Sequence, residues 1–268
     1  MDLGLEKVGF AVAILVAAWI GGIGPLARGA SATNPRFLSW GNAFAAGIFL
    51  SIGFVHMLSD AVAQFHDMGE SPTLVFFLAA VAFVFMLLLE HVLLPSGAHE
   101  HLHAEAGTAH AGFETAQGWN RLYPYALIAA LSIHSIFAGI ALGVQENVAS
   151  TLLIFIAIVA HKATASFALS VSLVRQGAPR YQTLRLIVFF SVMTPLGIAM
   201  GDGIHEVLSG ESARAMSAVV VALAAGTFIY IATLDLIRDE FLRPGSAWVK
   251  WCWTALGLVF MSLLAFWI

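Results

Sequence analysis

Eight separate stretches of this chain stay apolar for roughly twenty residues each, a pattern that no water-soluble fold buries and that a bilayer requires. They run over 8–27, 37–63, 73–94, 123–144, 148–174, 184–208, 213–237 and 247–268. Each is long enough to cross a hydrocarbon core of ~30 Å as a helix, some with tilt. The chain of 268 residues is 60% hydrophobic and only 10% charged, whereas soluble domains carry roughly 25% charge. A water-soluble enzyme, a nucleic-acid binder and a disordered chain are thereby excluded. The expected fold class is an all-α polytopic membrane protein, a single transmembrane domain over 1–268 with one long connection at 95–122. The first stretch is too long, and its flank too acidic (Asp2, Glu6), for a cleaved signal peptide. It counts as a helix. One cysteine, Cys252, rules out a disulfide framework and any cysteine-based zinc site.

Basic residues set the expected orientation. Arg28, Arg36, Arg121, Arg175, Arg180, Arg185, Arg238, Arg243 and Lys250 fall in alternate connections, and only Lys7 and Arg214 fall on the other side. Positive charge is retained on the cytoplasmic face. Both termini are therefore expected outside the cytoplasm and the 95–122 loop inside it.

The chain also repeats itself. The second span reads AFAAGIFLSIGFVHMLSD from Ala43, and the seventh reads ALAAGTFIYIATLDLIRD from Ala222. One offset aligns Ala45-Ala46-Gly47 with Ala224-Ala225-Gly226, Phe49 with Phe228, His56 with Asp235 and Asp60 with Asp239. These spans cross in opposite directions. A second pair lies between them: His134 precedes Ala138, Ala141 and Leu142, as His161 precedes Ala165, Ala168 and Leu169. The expected architecture is a 3+2+3 inverted repeat, a construction common in alternating-access transporters whose substrate sites lie near the bilayer midplane.

His134 and His161 fall at the centres of the fourth and fifth spans, with Lys162 adjacent. Ionisable groups at that depth face a polar interior or a pathway. A lone buried histidine is ordinarily structural; two at matching depth on consecutive antiparallel helices point to a shared site. Imidazole suits zinc, copper, iron or nickel. Pro195 interrupts the sixth span and frees a backbone carbonyl. Ser132, Ser135, Thr164 and Thr194 offer weak oxygen ligands or simply satisfy the backbone, and Ser135 is taken as a candidate ligand.

Polar groups toward the two ends suit a conduction path. His56 and Asp60 share a face one turn apart. Asp202, His205 and Glu206 cluster at the outer end of the sixth span, and Asp235, Asp239 and Glu240 at the inner end of the seventh. Carboxylates at both mouths concentrate cations. Asp235 is the expected inner exit, whereas Asp239 and Glu240 read as interface anchors. The cytoplasmic loop carries His99, His101, His103 and His110, spaced to bind divalent metal transiently as an acceptor or regulatory element.

FAAGIFLSIGFVHMLSDA, LSIHSIFAGIALGVQ, AHKATASFALSVSL, TPLGIAMG and AAGTFIYIATLDL resemble the signatures of helices two, four, five, six and seven in the ZIP (Zrt/Irt-like) metal-ion transporters. The similarity spans nearly the whole chain, including a histidine-bearing cytoplasmic loop. The resemblance implies eight helices and movement of zinc, iron or another divalent metal toward the cytoplasm. It also implies a transport site on helices four and five, frequent dimerisation and a plasma-membrane location. The metal is then cargo rather than a prosthetic group, and the partners are metal ions, lipid and a second copy of the chain.

Departures from the family pattern matter as much. Where the family has His-(Asn/Ser)-x-x-Glu-Gly in helix four, this chain has Ala138, and where a glutamate often follows the helix-five histidine by four residues it has Ala165. A binuclear site on bridging carboxylates is not expected. Two neutral imidazoles ligate a dication without neutralising it, and an uncompensated ion is costly to bury. Either a carboxylate from a mouth approaches, or the cavity is wet, or the cargo binds weakly. Lys162 points about 100° around the helix from His161, with Glu90 or Asp202 as its expected partner. Loss of both acids also raises a rival: a ZIP-like metal sensor or assembly partner that does not transport. An intramembrane zinc hydrolase needs about three protein ligands and a general base, and neither His134 nor His161 belongs to an HExxH or HxxxH pair; the one such run, His99-Glu100-His101-Leu102-His103, lies in the 95–122 loop outside the spans. No enzymatic activity is expected.

Overall fold

The computed structural model describes residues 3–27, 35–93, 123–145, 147–175, 177–207 and 210–266, and these are helical nearly throughout. Eight helical rods follow one another among the described residues. They are α1 (Leu3–Ala27), α2 (Pro35–Ser51, continuing through Ile52–Met57 and Leu58–Asp67), α3 (Pro72–Leu88, continuing through Leu89–Leu93), α4 (Tyr123–Gly143), α5 (Val148–Arg175), α6 (Arg180–Val207), α7 (Glu211–Tyr230, continuing through Ile231–Ile237 and Arg238–Leu242) and α8 (Ala247–Ala265). Six of these rods are long and apolar enough to cross a membrane; Pro72–Leu88 and Leu127–Gly143 are shorter apolar helices.

Local chemistry fixes the helix ends. Gly69, in the left-handed region at φ 77°, closes α2 while the Glu70 N–H donates to the Phe65 carbonyl at 2.9 Å. Ser71 then caps α3, with Pro72 at its first position and the Thr73 N–H donating to the Ser71 hydroxyl at 3.3 Å. Asn147 caps α5 by accepting from the Ser150 N–H at 2.8 Å. Among the described residues three helical stretches depart from α geometry. Ile52–Met57, Leu89–Leu93 and Ile231–Ile237 are π-helical, and the repeat aligns the first with the third, so Ile52 and Ile231 occupy matched positions. Single π turns inside α-helices concentrate at functional sites; here they carry His56 and Asp235.

In lipid the helices gain nothing from the hydrophobic effect and associate by close packing, so small residues line the contacts. α4 and α6 meet most closely. Gly139 and Gly143 on one face Gly197 and Gly201 on the other, and a methyl group on any of the four would overlap a carbonyl of the opposite helix. The same device joins α2 to α8, where Gly47 lies against the Thr254 carbonyl and Gly257 against that of Phe44. It joins α3 to α7, where Gly226 lies against the Ala79 carbonyl, and α1 to α5, where Gly21 lies against that of Ala163. Two packing groups emerge: α1, α4, α5 and α6 form one, and α2, α3, α7 and α8 the other. They meet where α7 crosses α4 and α2 crosses α5, along a buried seam that includes Phe49, Leu131, Leu169 and Phe228. The outward faces of α1, α3 and α8 expose Leu, Val, Phe and Trp side chains. In water that surface would be an aggregation site; against acyl chains it is ordinary contact.

Candidate metal pathway

α4 and α5 each place a histidine near mid-length, and the two rings meet at the seam. The centroids of His134 and His161 lie 5.8 Å apart with ring planes at 66°, and both side chains are almost wholly buried. A zinc ion ~2.0–2.1 Å from one nitrogen of each ring would set the centroids roughly 5–6 Å apart, so the separation suits a shared metal. His134 Nε2 and His161 Nδ1 are buried without a hydrogen bond of ordinary geometry. Buried polar nitrogens are normally satisfied, and this pair has ligating capacity to spare. Phe228 packs on both rings, its centroid 3.6 Å from that of His134 and 5.0 Å from that of His161, and Phe49 backs it at 5.1 Å.

Thr227 is the polar neighbour of His134: Nδ1 and the Thr227 hydroxyl are 3.1 Å apart. Sequence reasoning passed over Thr227 and Phe228 as site residues, although the repeat aligned Phe228 with Phe49. The available signal was the hydroxyl at 227, where the aligned residue in the second span is Ile48.

Lys162 finds neither of its expected partners. Its ammonium donates to the hydroxyls of Ser135 and Thr194, each at 2.9 Å, and to the Phe190 carbonyl at 3.3 Å, while lying 3.6 Å above the Phe190 ring. Three donors have three acceptors, which satisfies the group. Ser135 is thereby engaged by Lys162. Glu90 instead accepts from the Tyr230 hydroxyl at 2.6 Å, and Asp202 pairs with Lys7 at 2.6 Å, where the same ammonium also holds the Gly143 carbonyl at the end of α4.

A cleft of about 510 Å³ lies between α2, the α4–α5 turn and the start of α7. His56 and Asp60 line it with Gln64, Gln145, Arg214 and Ser217. His56 Nδ1 stands 3.1 Å from an Asp60 oxygen. Gln145 donates to Ser217 at 3.0 Å, tying α4 to α7 at this end. His205 belongs to α6, but its side chain and that of Glu206 lie outside the described set, as do the loop residues His99, His101, His103 and His110.

At the opposite end two carboxylates of α7 are buried. Asp235 is buried beside Glu90 on the π-helical stretch of α7. One turn further, Glu240 is fully buried, not an exposed interface anchor as its position at a helix end suggested. Its carboxylate accepts from Ser39 at 2.5 Å, Asn42 at 3.2 Å and Arg175 at 2.8 Å, and Lys250 donates to its backbone carbonyl at 2.7 Å. Asp239 takes both nitrogens of an Arg243 fork, at 2.9 and 3.0 Å. Among the described residues no three His, Cys, Asp or Glu side chains converge within ligating reach of one point. With Ala138 and Ala165 both buried at the pair, any metal there would take two protein nitrogens and complete its shell with water or a weaker oxygen.

Apolar rods that enclose buried polar side chains define a multi-pass helical membrane protein. The family model for ZIP zinc transporters matches residues 5–121 and 95–265, and the chain belongs to that family. It is 28% identical to the zinc transporter ZIP2 of Mus musculus, with 97% of each chain covered, and 29% identical to ZIP1 of Danio rerio, with 99% of each covered. With ZIP1 of Takifugu rubripes it shares 30% identity over 87% of this chain and 86% of that one.

Proposed function

We propose that the protein moves divalent metal ions, zinc foremost, across a membrane toward the cytoplasm through a midplane site on His134 and His161. The observation that carries this reading is the meeting of two buried imidazoles from different helices, each with an unengaged nitrogen, at a spacing that suits one metal. Membership of the ZIP family and relatives named zinc transporters support it. On this reading His56 and Asp60 gather the ion in the outer cleft, and Asp235 receives it on the inner side. The matched packing of α2 on α8 and α7 on α3, with π-helical stretches at aligned positions, supports the inverted 3+2+3 repeat. Basic residues at the Glu240 end support a cytoplasmic position for that end, with both termini outside. A homodimer in the plasma membrane is the assembly we infer from the family.

Two neutral ligands beside the Lys162 ammonium leave a bound dication's charge largely uncompensated. Binding is then weak and water-assisted, which suits an ion in passage better than a resident one. The test is uptake into proteoliposomes from a panel of Zn²⁺, Fe²⁺, Mn²⁺, Cd²⁺ and Co²⁺. His134→Ala and His161→Ala should each abolish saturable Zn²⁺ uptake while the protein still inserts; undiminished uptake in both would sink the central site. Imidazole ligates only when neutral, so acidification should raise the KM for metal, and uptake that climbs steadily as pH falls would count against imidazole ligation.

The buried Ala138 and Ala165 favour one rival, a sensor or assembly partner without transport activity. Ala138→Glu and Ala165→Glu separate the two. Transport that arises only in the glutamate variants supports the rival.

A further inference from the structure

The two imidazoles are not equivalent, although the repeat makes their helices counterparts. His134 has a side-chain hydrogen bond, to Thr227. His161 has none, and the polar group beside it is the Ala157 carbonyl one turn back on its own helix. The residue that the repeat aligns with Thr227 is Ile48, which offers no polar atom.

Thr227 has one hydroxyl proton, and its position is accounted for. The hydroxyl donates to the Ala224 carbonyl at 2.7 Å, within its own helix. Toward His134 it therefore presents only lone pairs, and the 3.1 Å contact is a hydrogen bond only if Nδ1 carries the proton. The neutral ring then has its lone pair on Nε2, which has no hydrogen bond of ordinary geometry; the other polar group beside the ring is the Ala224 carbonyl, to which Thr227 donates. The opposite tautomer would leave two lone pairs facing across the 3.1 Å contact and a buried N–H at Nε2 with no acceptor, an arrangement that interiors avoid. The Phe228 ring, packed against His134 from the adjacent position on α7, restricts rotation about the same side chain.

We propose that Thr227 is a positioning residue for the metal site. By accepting the Nδ1–H of His134 it holds that imidazole in the tautomer whose Nε2 is free to ligate, leaving His161 as the adaptable member of the pair. Hydrogen bonds of this kind fix the tautomer and orientation of metal-ligating histidines, and their removal costs about 10–100-fold in affinity. The proposal rests on the transport reading above for its use of the metal, but the tautomer itself is testable without transport.

The test begins with ¹⁵N NMR of histidine-labelled, metal-free full-length protein in liposomes, with His134→Ala supplying the assignment. The wild type should show the His134 proton on Nδ1, and added Zn²⁺ should shift Nε2. A wild-type spectrum with the proton on Nε2 overturns the proposal whatever the variants do. Thr227→Val, close in shape but without the hydroxyl, should yield a mixture of tautomers and raise the KM for Zn²⁺ by about 10–100-fold at little change in maximal rate. Thr227→Ser should restore both. A valine variant with wild-type tautomer and KM also overturns the proposal. If Thr227→Val fails to insert, the wild-type spectrum decides alone. Persistent uptake in His134→Ala would defeat the transport site while leaving the tautomer measurement standing, so the two failures are distinguishable.

Discussion

The two ends of the bundle are built on opposite principles. At one end Glu240 is fully buried and gathers Ser39 and Asn42 from α2, Arg175 from α5 and, through its carbonyl, Lys250 from α8. At the other, His56 and Asp60 sit in a cleft of about 510 Å³, with Asp60 about half exposed. The Glu240 cluster is thus internal at the first end, whereas the His56–Asp60 pair is open to the cleft at the second. A buried ion pair gives little net stability but is expensive to break by halves, because one charge is left unpaired in low dielectric; an exposed pair costs little either way. Arg175 and Glu240 also belong to different packing groups, so their bond clamps the seam that the cleft leaves accessible from the far side.

The largest expected effect tests that clamp directly. Glu240→Ala leaves the largely buried Arg175 without the carboxylate it bonds, and removes the carboxylate charge 3.9 Å from Lys250 while leaving the backbone carbonyl to it. It should cost about 3–5 kcal/mol, read as a lowered midpoint of thermal unfolding in detergent. Glu240→Gln, which keeps the hydrogen bonds to Ser39 and Asn42, should cost less. If Glu240→Ala proves no worse than Asp60→Ala, the contrast between the ends collapses.

A second, smaller effect concerns access. In a Cys252→Ser background, Gln64→Cys in the cleft should react rapidly with a water-soluble thiol reagent, whereas the fully buried Ala232→Cys should be protected. Glu240→Gln should raise the reactivity at position 232 and leave that at 64 unchanged. Equal rates at both positions in the parent would mean that neither end is closed. The smallest effect falls at the rim. Asp60→Asn should change stability by less than about 1 kcal/mol and raise the KM for Zn²⁺ modestly, measured by tracer uptake at low ionic strength, with the effect fading as salt screens the cleft.

Much of the fold was legible in the sequence because the bilayer imposes a length and a composition on each span. The described helices fall where the apolar stretches do; α6 starts earlier than expected, at Arg180, and α2 and α7 run further, to Asp67 and Leu242. The π-helical stretches were not legible, since nothing in residue type distinguishes Ile52–Met57 from its neighbours. The histidine pair stood out because imidazole is conspicuous in an apolar helix. Its supports did not: Thr227 and Phe228 are ordinary residues for such a helix and come from far along the chain. Glu240 misled for a related reason. A carboxylate at a helix end usually reaches water, and its burial depends on Arg175 and Lys250 arriving from two other helices. Lys162 likewise took hydroxyls and a carbonyl over a carboxylate, a choice visible only once α6 is beside α5.

The glycines between α4 and α6 have a consequence for motion. Two rods that touch backbone to backbone through Gly139, Gly143, Gly197 and Gly201 have no side chains between them to repack, and the Lys162 ammonium pins both to α5 through Ser135 and Thr194. Such a trio travels as one plank. On the transport reading proposed above, whatever shifts α6 would carry His134 and His161 with it at unchanged spacing, so jaws built on that pair would hold their width while the floor beneath them moves.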